Sequence, residues 1–286
     1  MIRRPYLACA IQTTSTPDPE ESLARAEALV AQAVERGAEL IGLPENLPQI
    51  CETQEEAASQ VPVTYPMAES WLREQARRHG VVLYGGVVAP GAGRVRNLLV
   101  VVGRDGKVIA RYQKRHLFDV AINERNTHRE SAAVEPGHEP VVADLGDLGI
   151  LGLSICYDVR FPEHYRALVD MGADVLAVPA AFLTVTGKDH WHVLLRARAI
   201  ENTCYVMAPA QGGRHNSRRE SYGHALMIDP WGNVLADTGD RNGLAIAEIH
   251  PDRLREIRTQ LPCLQHRQSS GAMAAEPAFV NLSKPS

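Results

Sequence analysis

The sequence contains few cysteines, and their spacing argues against several classes of protein. There are five in 286 residues, at positions 9, 51, 156, 204 and 263. The number is odd and no two have C-x-x-C spacing, so neither a disulfide framework nor a four-thiolate zinc site is indicated. We therefore expect a reduced compartment, the cytoplasm. Cys9 and Cys204 lie in apolar strand-like runs and are expected to be structural.

Charge of one sign, long apolar runs and phosphate-binding motifs are also scarce. The formal net charge is −4, with both signs interspersed, so nothing indicates nucleic acid or a membrane surface as a partner. No apolar run approaches the roughly 18 residues of a membrane span. The N-terminus shows no apolar region of the length that a secretory signal requires. Because the sequence has no G-x-G-x-x-G and no P-loop, nucleotide binding has no support either.

Strand-like and helix-like segments alternate along the chain. A strand at Leu7–Ile11 is followed by a helix that Asp18 caps and Pro19 opens, and then by a second strand at Glu39–Leu43. Later helices, such as Trp191–Asn202, continue the alternation. With hairpins interleaved, this pattern predicts an α/β fold of mixed sheets with helices on the outside.

No linker-like stretch divides the chain, so residues 1–268 are predicted to form a single domain. Periodicity fades from about residue 265, and residues 269–286 are predicted to be a tail. Such a tail is either disordered or ordered only against a partner subunit.

Cys156 is the first candidate catalytic residue. It ends the apolar run Ile150–Ile155, and Pro162 with Glu163 then has the composition of a first helical turn. A thiol on a sharp strand-to-helix turn projects from the rim of a sheet beside backbone N–H groups, which suits an attacking thiolate and its oxyanion. The alternative is a small buried hydrophobic residue, the usual state of a free cysteine.

Three charged residues at or near strand ends are candidates to assist the thiol. Glu45 follows an apolar strand, where partial burial would raise its pKa toward that of a general base. Lys114 follows a hairpin strand and can stabilise an oxyanion. Glu130 lies in a region without clear secondary structure and could hold Lys114 or position the substrate nitrogen. Taken alone, each is better explained as a surface or loop charge.

Together with their neighbours, these residues resemble one family. The segments 43–45, 112–118 and 155–163 read Leu-Pro-Glu, Tyr-Gln-Lys-Arg-His-Leu-Phe and Ile-Cys-Tyr-Asp-Val-Arg-Phe-Pro-Glu. They are similar to the three signature segments of the nitrilase superfamily of carbon–nitrogen hydrolases, and the resemblance covers about residues 5–268. It implies a four-layer αββα sandwich of two mixed sheets flanked by helices. It also implies a homodimer and chemistry without metal or organic cofactor.

The resemblance assigns roles to the candidate residues. Glu45, Lys114 and Cys156 form the catalytic set, with Glu130 in support. Glu45 takes the thiol proton, Cys156 attacks the amide carbonyl, and Lys114 and the backbone N–H of Tyr157 hold the oxyanion. The nitrogen leaves as ammonia, and water then hydrolyses the thioester.

Three further residues are predicted to contact a small carboxylate-bearing amide, the expected partner of the chain. They are Phe118, Arg160 and His190. For Arg160 a salt bridge to Asp158 or Glu163 is an equal alternative.

Segments in the second half of the chain are similar to the superfamily branch that contains deaminated glutathione amidases. They are residues 190–202, 208–211, 220–224 and 261–267. The loop 122–128 departs from this branch because it has no Pro or Gly. Deaminated glutathione is nevertheless the expected substrate, with an ω-amidase acting on 2-oxoglutaramate-like monoamides as the alternative. A catalytically silent binding scaffold is kept as an alternative of a different class.

The pair His190 and His192 has H-x-H spacing, which a metal site can use. No acidic residue or third histidine lies at a helical offset, so a helix-start or site-rim position is expected instead.

Overall fold

The computed structural model describes residues 1–122 and 127–268. The predicted tail 269–286 and positions 123–126 of the loop lacking Pro and Gly lie outside the described residues. The helices are α1 (Pro19–Glu35), α2 (Gln54–His79), α3 (Pro162–Asp170), α4 (Thr184–Asn202) and α5 (Pro251–Gln260). None of the helices described is both long and apolar enough to cross a membrane.

The strands divide between two large sheets and a small pair. The first half of the chain supplies β1 (Tyr6–Thr13), β2 (Ala38–Gly42), β3 (Val82–Ala89), β4 (Val95–Val102), β5 (Val108–Gln113), β6 (Asp119–Ala121), β7 (Thr127–Arg129), β8 (Val134–Glu135) and β9 (Val142–Asp144). The second half supplies β10 (Ile150–Leu153), β11 (Val175–Ala177), β12 (Tyr205–Ala208), β13 (Ala210–Arg214), β14 (Glu220–Tyr222), β15 (Leu226–Ile228), β16 (Val234–Asp237) and β17 (Gly243–Ile249).

Both large sheets are mixed. The first has the order β14-β13-β1-β2-β3-β4-β5, with β17 also paired to β1 and β8 to β4. The second has the order β16-β15-β12-β11-β10-β9, and β6 pairs with β7 separately. Within the sheets β1, β2 and β3 run parallel to one another, as do β10, β11 and β12.

Alternate side chains of the first sheet pack into two different layers. On β1, Ala8 and Ala10 face the layer shared with the second sheet, whereas Cys9 and Ile11 pack against α1 and α2. This alternation follows from the two-residue period of a strand. The second sheet is covered in turn by α3 and α4, whose Tyr165, Leu168 and Trp191 are buried in the shared core. The predicted four-layer αββα sandwich is confirmed.

The helix boundaries show where tertiary packing overrides local signals. The Asp18 carboxylate caps α1 as predicted, accepting hydrogen bonds from the N–H groups of Glu20 and Glu21. The sequence predicted the second helix only from Met67, but α2 begins at Gln54 and contains two prolines. The turns before Met67 are helical because Thr53 caps them and a buried face packs on the first sheet.

Candidate active site

Cys156 lies on a strained turn directly after the second sheet. Two residues separate it from β10, and its backbone φ is 47°, a left-handed conformation that costs a non-glycine residue about 1–2 kcal/mol. Its N–H donates to the Pro179 carbonyl at 2.9 Å. Among the residues that the structure describes, none accepts a hydrogen bond from the Tyr157 N–H. The turn therefore presents a thiol with a free N–H donor next to it, as predicted.

The buried carboxylate of Asp158 holds this turn in place. It accepts hydrogen bonds from the Ile155 N–H (2.9 Å), the Tyr112 hydroxyl (2.7 Å) and the His116 N–H (3.0 Å), and it contacts His116 Nδ1 at 2.7 Å. Burial raises the pKa of Asp158, but these donors outweigh burial and hold the pKa below its ordinary value. Asp158 thus ties the cysteine turn to the segment after β5, the segment that carries Lys114.

Glu45 follows β2 and is buried. One carboxylate oxygen accepts from Lys114 Nζ (3.0 Å) and Asn97 Nδ2 (2.8 Å), and the other accepts from the Ala181 N–H (2.9 Å). Gly86 of β3 packs against the Glu45 backbone so closely that a Cβ there would lie 2.6 Å from Glu45 Cα. Neighbouring strands therefore fix both the side chain and the backbone of Glu45.

Lys114 lies between two carboxylates. Its ammonium is 3.0 Å from Glu45 Oε1 and 2.9 Å from Glu130 Oε2, and its side chain is 2% exposed. Glu130 also accepts from the Phe118 N–H at 2.6 Å, which ties the segment after Lys114 to the same carboxylate. The four residues predicted from separate segments are thus brought to one place.

Burial and the neighbouring charges set the pKa values of these groups. Burial lowers the pKa of Lys114, but Glu130 and Glu45 outweigh it and raise that pKa well above its usual range. Burial and the Glu45 carboxylate raise the pKa of Cys156 well above its usual range. At neutral pH the site therefore holds a neutral thiol at Cys156 and an ammonium at Lys114.

For Glu45 the sequence predicted a pKa raised toward neutrality, and the structure differs. Burial does raise the pKa of Glu45, but the Lys114 charge and the hydrogen bonds from Lys114, Asn97 and Ala181 outweigh burial. The net pKa is below the ordinary value. Glu45 is consequently ionised and able to accept a proton.

Sequence reasoning missed two buried amides that position Glu45. The Asn97 side chain donates to Glu45 and, at 3.3 Å, to Glu130, and the Asn97 backbone carbonyl accepts from the Lys114 N–H. Gln211 donates to the Glu45 carbonyl at 3.0 Å. The sequence offered one sign of Asn97, because this residue adjoins the apolar run of β4. A polar side chain buried in such a position needs hydrogen-bond partners.

A cavity of about 620 Å³ opens above these residues. Its lining includes Phe118, whose ring contacts Tyr157 with centroids 5.1 Å apart. The catalytic candidates also line it, namely Glu45, Lys114, Glu130 and Cys156.

Arg160 and His190 lie outside the lining of this cavity. The Arg160 guanidinium contacts His190 Nδ1 at 3.3 Å and lies over the rings of Tyr157 and Phe182. Within the described ranges it forms no ion pair with Asp158 or Glu163, because Asp158 is committed to Tyr112 and His116. Substrate contacts by Arg160 and His190 stay predictions.

The two histidines of the H-x-H pair have different partners. α4 begins at Thr184, so His190 lies within the helix, and the expected helix-start position is wrong. The early start is possible because Gly187 fits against Tyr222, where a Cβ would lie 2.4 Å from the ring. His192 Nε2 is 3.0 Å from Asp237, which also contacts His224.

This cluster of His192, His224 and Asp237 is accounted for by its own hydrogen bonds. It joins α4 to β16, and the spacing of residues along the sequence does not reveal that these two elements are neighbours. The predicted absence of a metal at the site stays a prediction.

The sequence matches the carbon-nitrogen hydrolase family over residues 7–259. The chain belongs to this family. This carbon–nitrogen hydrolase is an enzyme that acts on amides, because the relatives that share most of its length are named amidases.

Two relatives show how closely the sequence agrees. The deaminated glutathione amidase of Synechocystis sp. is 53% identical over 269 residues, covering 92% of this chain and 98% of that protein. The human deaminated glutathione amidase is 40% identical and covers 92% of this chain and 82% of its own length.

Solved structures agree with the fold of this carbon–nitrogen hydrolase. The C. elegans NitFhit protein has a TM-score of 0.88 at 37% identity, covering 94% of this chain and 66% of that one. A glutamate-to-glutamine mutant of an amidase from Nesterenkonia sp. has a TM-score of 0.76 at 29% identity, covering 90% and 98% of the two chains. That structure shows the result of Michael addition of acrylamide at its active site cysteine.

Proposed function

We propose that Cys156 is the nucleophile of amide hydrolysis and that Glu45 is its base. The thiol proton passes to the Glu45 carboxylate while Sγ forms a bond to the amide carbonyl carbon. The C–N bond then breaks, and Glu45 returns the proton to the departing nitrogen. A thioester on Cys156 remains. Glu45 next deprotonates water, which attacks the thioester carbonyl. The C–S bond then breaks, the carboxylic acid is released, and the Cys156 thiolate regains its proton from Glu45.

Lys114 and the Tyr157 N–H are proposed to stabilise the oxyanion in both halves of this reaction. The supporting observation is the charge arrangement of the site: a permanently charged, buried ammonium lies beside the thiol between Glu45 and Glu130. Preorganised donors of this kind are each worth about 3 kcal/mol of barrier. Glu130 is proposed to hold Lys114 in position.

The substrate we propose is deaminated glutathione, as the 53% identical relative is named for it. In this compound an oxo group replaces the glutamyl amino group, so hydrolysis gives 2-oxoglutarate and the Cys-Gly dipeptide. The leaving group is then the dipeptide amine rather than the ammonia predicted from the sequence. An ω-amidase would instead cleave 2-oxoglutaramate to 2-oxoglutarate and ammonia.

The test measures 2-oxoglutarate release from both amides, because both give the same acid. We expect kcat/KM for deaminated glutathione to exceed that for 2-oxoglutaramate by at least about 10-fold. The Cys156→Ala variant should release nothing, whereas Cys263→Ala, which changes a thiol remote from the cavity lining, should match the parent.

The reverse preference would make the enzyme an ω-amidase. If neither compound released 2-oxoglutarate and no electrophile modified the thiol, the protein would be a catalytically silent binding scaffold.

We further propose that residues 1–268 work as a single hydrolase domain, without metal or organic cofactor, in a cytoplasmic homodimer. The family match over residues 7–259 supports the domain limits.

A further inference from the structure

One cation in the wall of the cavity is half-buried and has no acidic partner among the described residues. Arg219 lines the cavity that contains Cys156, yet no carboxylate of the described chain pairs with its guanidinium. Its neighbour Arg218 also lines the cavity but is 66% exposed and faces Glu52 at 3.9 Å. A half-buried guanidinium without a counter-charge is well suited to bind an anion.

The backbone of Arg219 is fixed by the loop between β13 and β14. Its N–H donates to Asn216 Oδ1 at 2.9 Å, and its carbonyl accepts from the His215 N–H at 3.0 Å. The His215 ring in turn bridges the Ser15 carbonyl (2.8 Å) and the Ser221 hydroxyl (2.9 Å). Because burial lowers the pKa of His215 to about 4, this bridge is neutral and stays intact at physiological pH. The backbone of Arg219 is therefore held in place before a ligand arrives.

In the described part of the chain, the floor of the cavity offers no unpaired cation to a substrate carboxylate. Lys114 is already shared by two carboxylates, Glu45 and Glu130, so the floor carries a net negative charge. His128 in the wall is neutral, since burial and the nearby Arg219 charge both lower its pKa. A substrate carboxylate must find its cation away from the floor.

The remaining cations are less suited to this task. Arg129 lines the cavity but is exposed, and a solvated charge contributes little to binding. Arg160, the predicted carboxylate ligand, lies outside the lining and packs on Tyr157 and Phe182.

We propose that Arg219 binds a substrate carboxylate remote from the scissile amide and so selects anionic amides. This inference rests on the function proposed above. Deaminated glutathione offers two such groups, the carboxylate of the 2-oxo acid end and that of the glycine end. The planar guanidinium can bind either carboxylate through two parallel N–H···O hydrogen bonds.

The test compares Arg219→Gln with Arg214→Gln, a matched loss of charge at an exposed position on the same hairpin outside the cavity lining. Arg219→Gln should raise KM by on the order of 10- to 100-fold, with kcat within about threefold of the parent. Arg219→Lys should reverse part of the rise in KM, because lysine keeps the positive charge but lacks the planar guanidinium that forms two parallel hydrogen bonds. Arg214→Gln should match the parent. Thermal unfolding of each variant checks that the fold is kept.

The two substrates locate the carboxylate. An equal loss for deaminated glutathione and 2-oxoglutaramate places Arg219 at the 2-oxo acid end, whereas a loss for deaminated glutathione alone places it at the glycine end. A change within about twofold for both substrates would overturn the inference, as would a fall in kcat with KM unchanged.

A binding titration separates this inference from the proposed function, because it needs no turnover. Calorimetry of 2-oxoglutarate and of Cys-Gly is performed on Cys156→Ala with and without Arg219→Gln. Weaker binding of either compound in the double variant supports the role of Arg219 even if neither amide is hydrolysed. Equal or undetectable binding of both compounds in the two proteins rejects that role.

Discussion

Cys156, Glu45 and Lys114 form a resting site in which the nucleophile is neutral. The pKa of Cys156 is raised by burial and by Glu45, and the pKa of Glu45 is lowered chiefly because Lys114 outweighs burial. A thiol of this kind is not a preformed thiolate, so in the proposed mechanism the Glu45 carboxylate removes its proton as substrate binds. In that mechanism the charge of Lys114 serves twice, keeping Glu45 ionised and stabilising the oxyanion.

Replacing Lys114 should abolish activity and reverse the effect of pH on stability. Glu45 has a lowered pKa in the folded enzyme, so it contributes stability above its unfolded value that is lost as pH falls through the folded one. In Lys114→Met the buried Glu45 carboxylate loses its counter-charge, its pKa rises, and stability should instead fall as pH rises. We expect a loss of about 3–5 kcal/mol at neutral pH, much of it recovered near pH 5.

Urea unfolding at about pH 5 and pH 7.5, together with kcat, checks this prediction. Activity should drop by at least about 100-fold. Lys107→Met, which removes an exposed lysine paired with Asp105, is the control and should change neither property. Near-normal turnover by Lys114→Met would remove Lys114 from the mechanism.

At the scale of elements, the site forms where strands of both sheets end. Glu45 follows β2, Lys114 follows β5 and Cys156 follows β10 closely. The sequence placed each of these residues at or near the end of a strand-like segment, and the family resemblance joined them into one set. Their meeting point could not be read from any single segment, because it depends on how the two sheets face each other.

The missed elements have a common physical cause: local signals opposed the final structure. Pro62 and Pro66 argued against the first half of α2, and the glycines Gly212 and Gly213 obscured β13. In each case long-range packing or pairing, such as that of β13 with β1, decided the conformation. Asn97 was missed for a different reason, since its partners come from distant segments.

Gly86 provides a test of how accurately β3 positions Glu45. A Cβ at this residue would lie 2.6 Å from Glu45 Cα, so Gly86→Ala must displace the catalytic carboxylate. We expect kcat to fall by on the order of 10- to 100-fold and stability to fall by about 1–3 kcal/mol. Gly93→Ala is the matched control, because nothing lies within 4 Å of its added Cβ. If both variants had parental kcat, the backbone contact would not position Glu45.

At the scale of the whole molecule, the sandwich leaves an apolar face on its outer helical layer. Val193 and Ile200 of α4 are 66% and 42% exposed, and Trp231, in the turn beside Ile200, is 50% exposed. Residues seven apart share one face of a helix. This face is where the proposed homodimer would bury apolar surface.

Sedimentation equilibrium tests the dimer directly. The enzyme should have twice the 31.3 kDa mass of one chain, and Val193→Asp should shift the equilibrium to the monomer. The control is Val63→Asp, a 65% exposed position on α2, which should leave the dimer intact. A wild-type monomer at micromolar concentration would contradict the proposed dimer, and a Val193→Asp dimer would place the interface elsewhere.

Peptide mass spectrometry after rapid acid quenching shows whether an acyl group passes through Cys156. Deaminated glutathione and 2-oxoglutaramate should give the same 2-oxoglutaryl thioester, because they share the acyl part and differ only in the leaving group. The adduct should lie on Cys156 and be missing from Cys156→Ala. Cys51 lies next to the cavity-lining residue Glu52. An adduct on Cys51, or turnover by Cys156→Ala, would show that Cys156 is not the nucleophile.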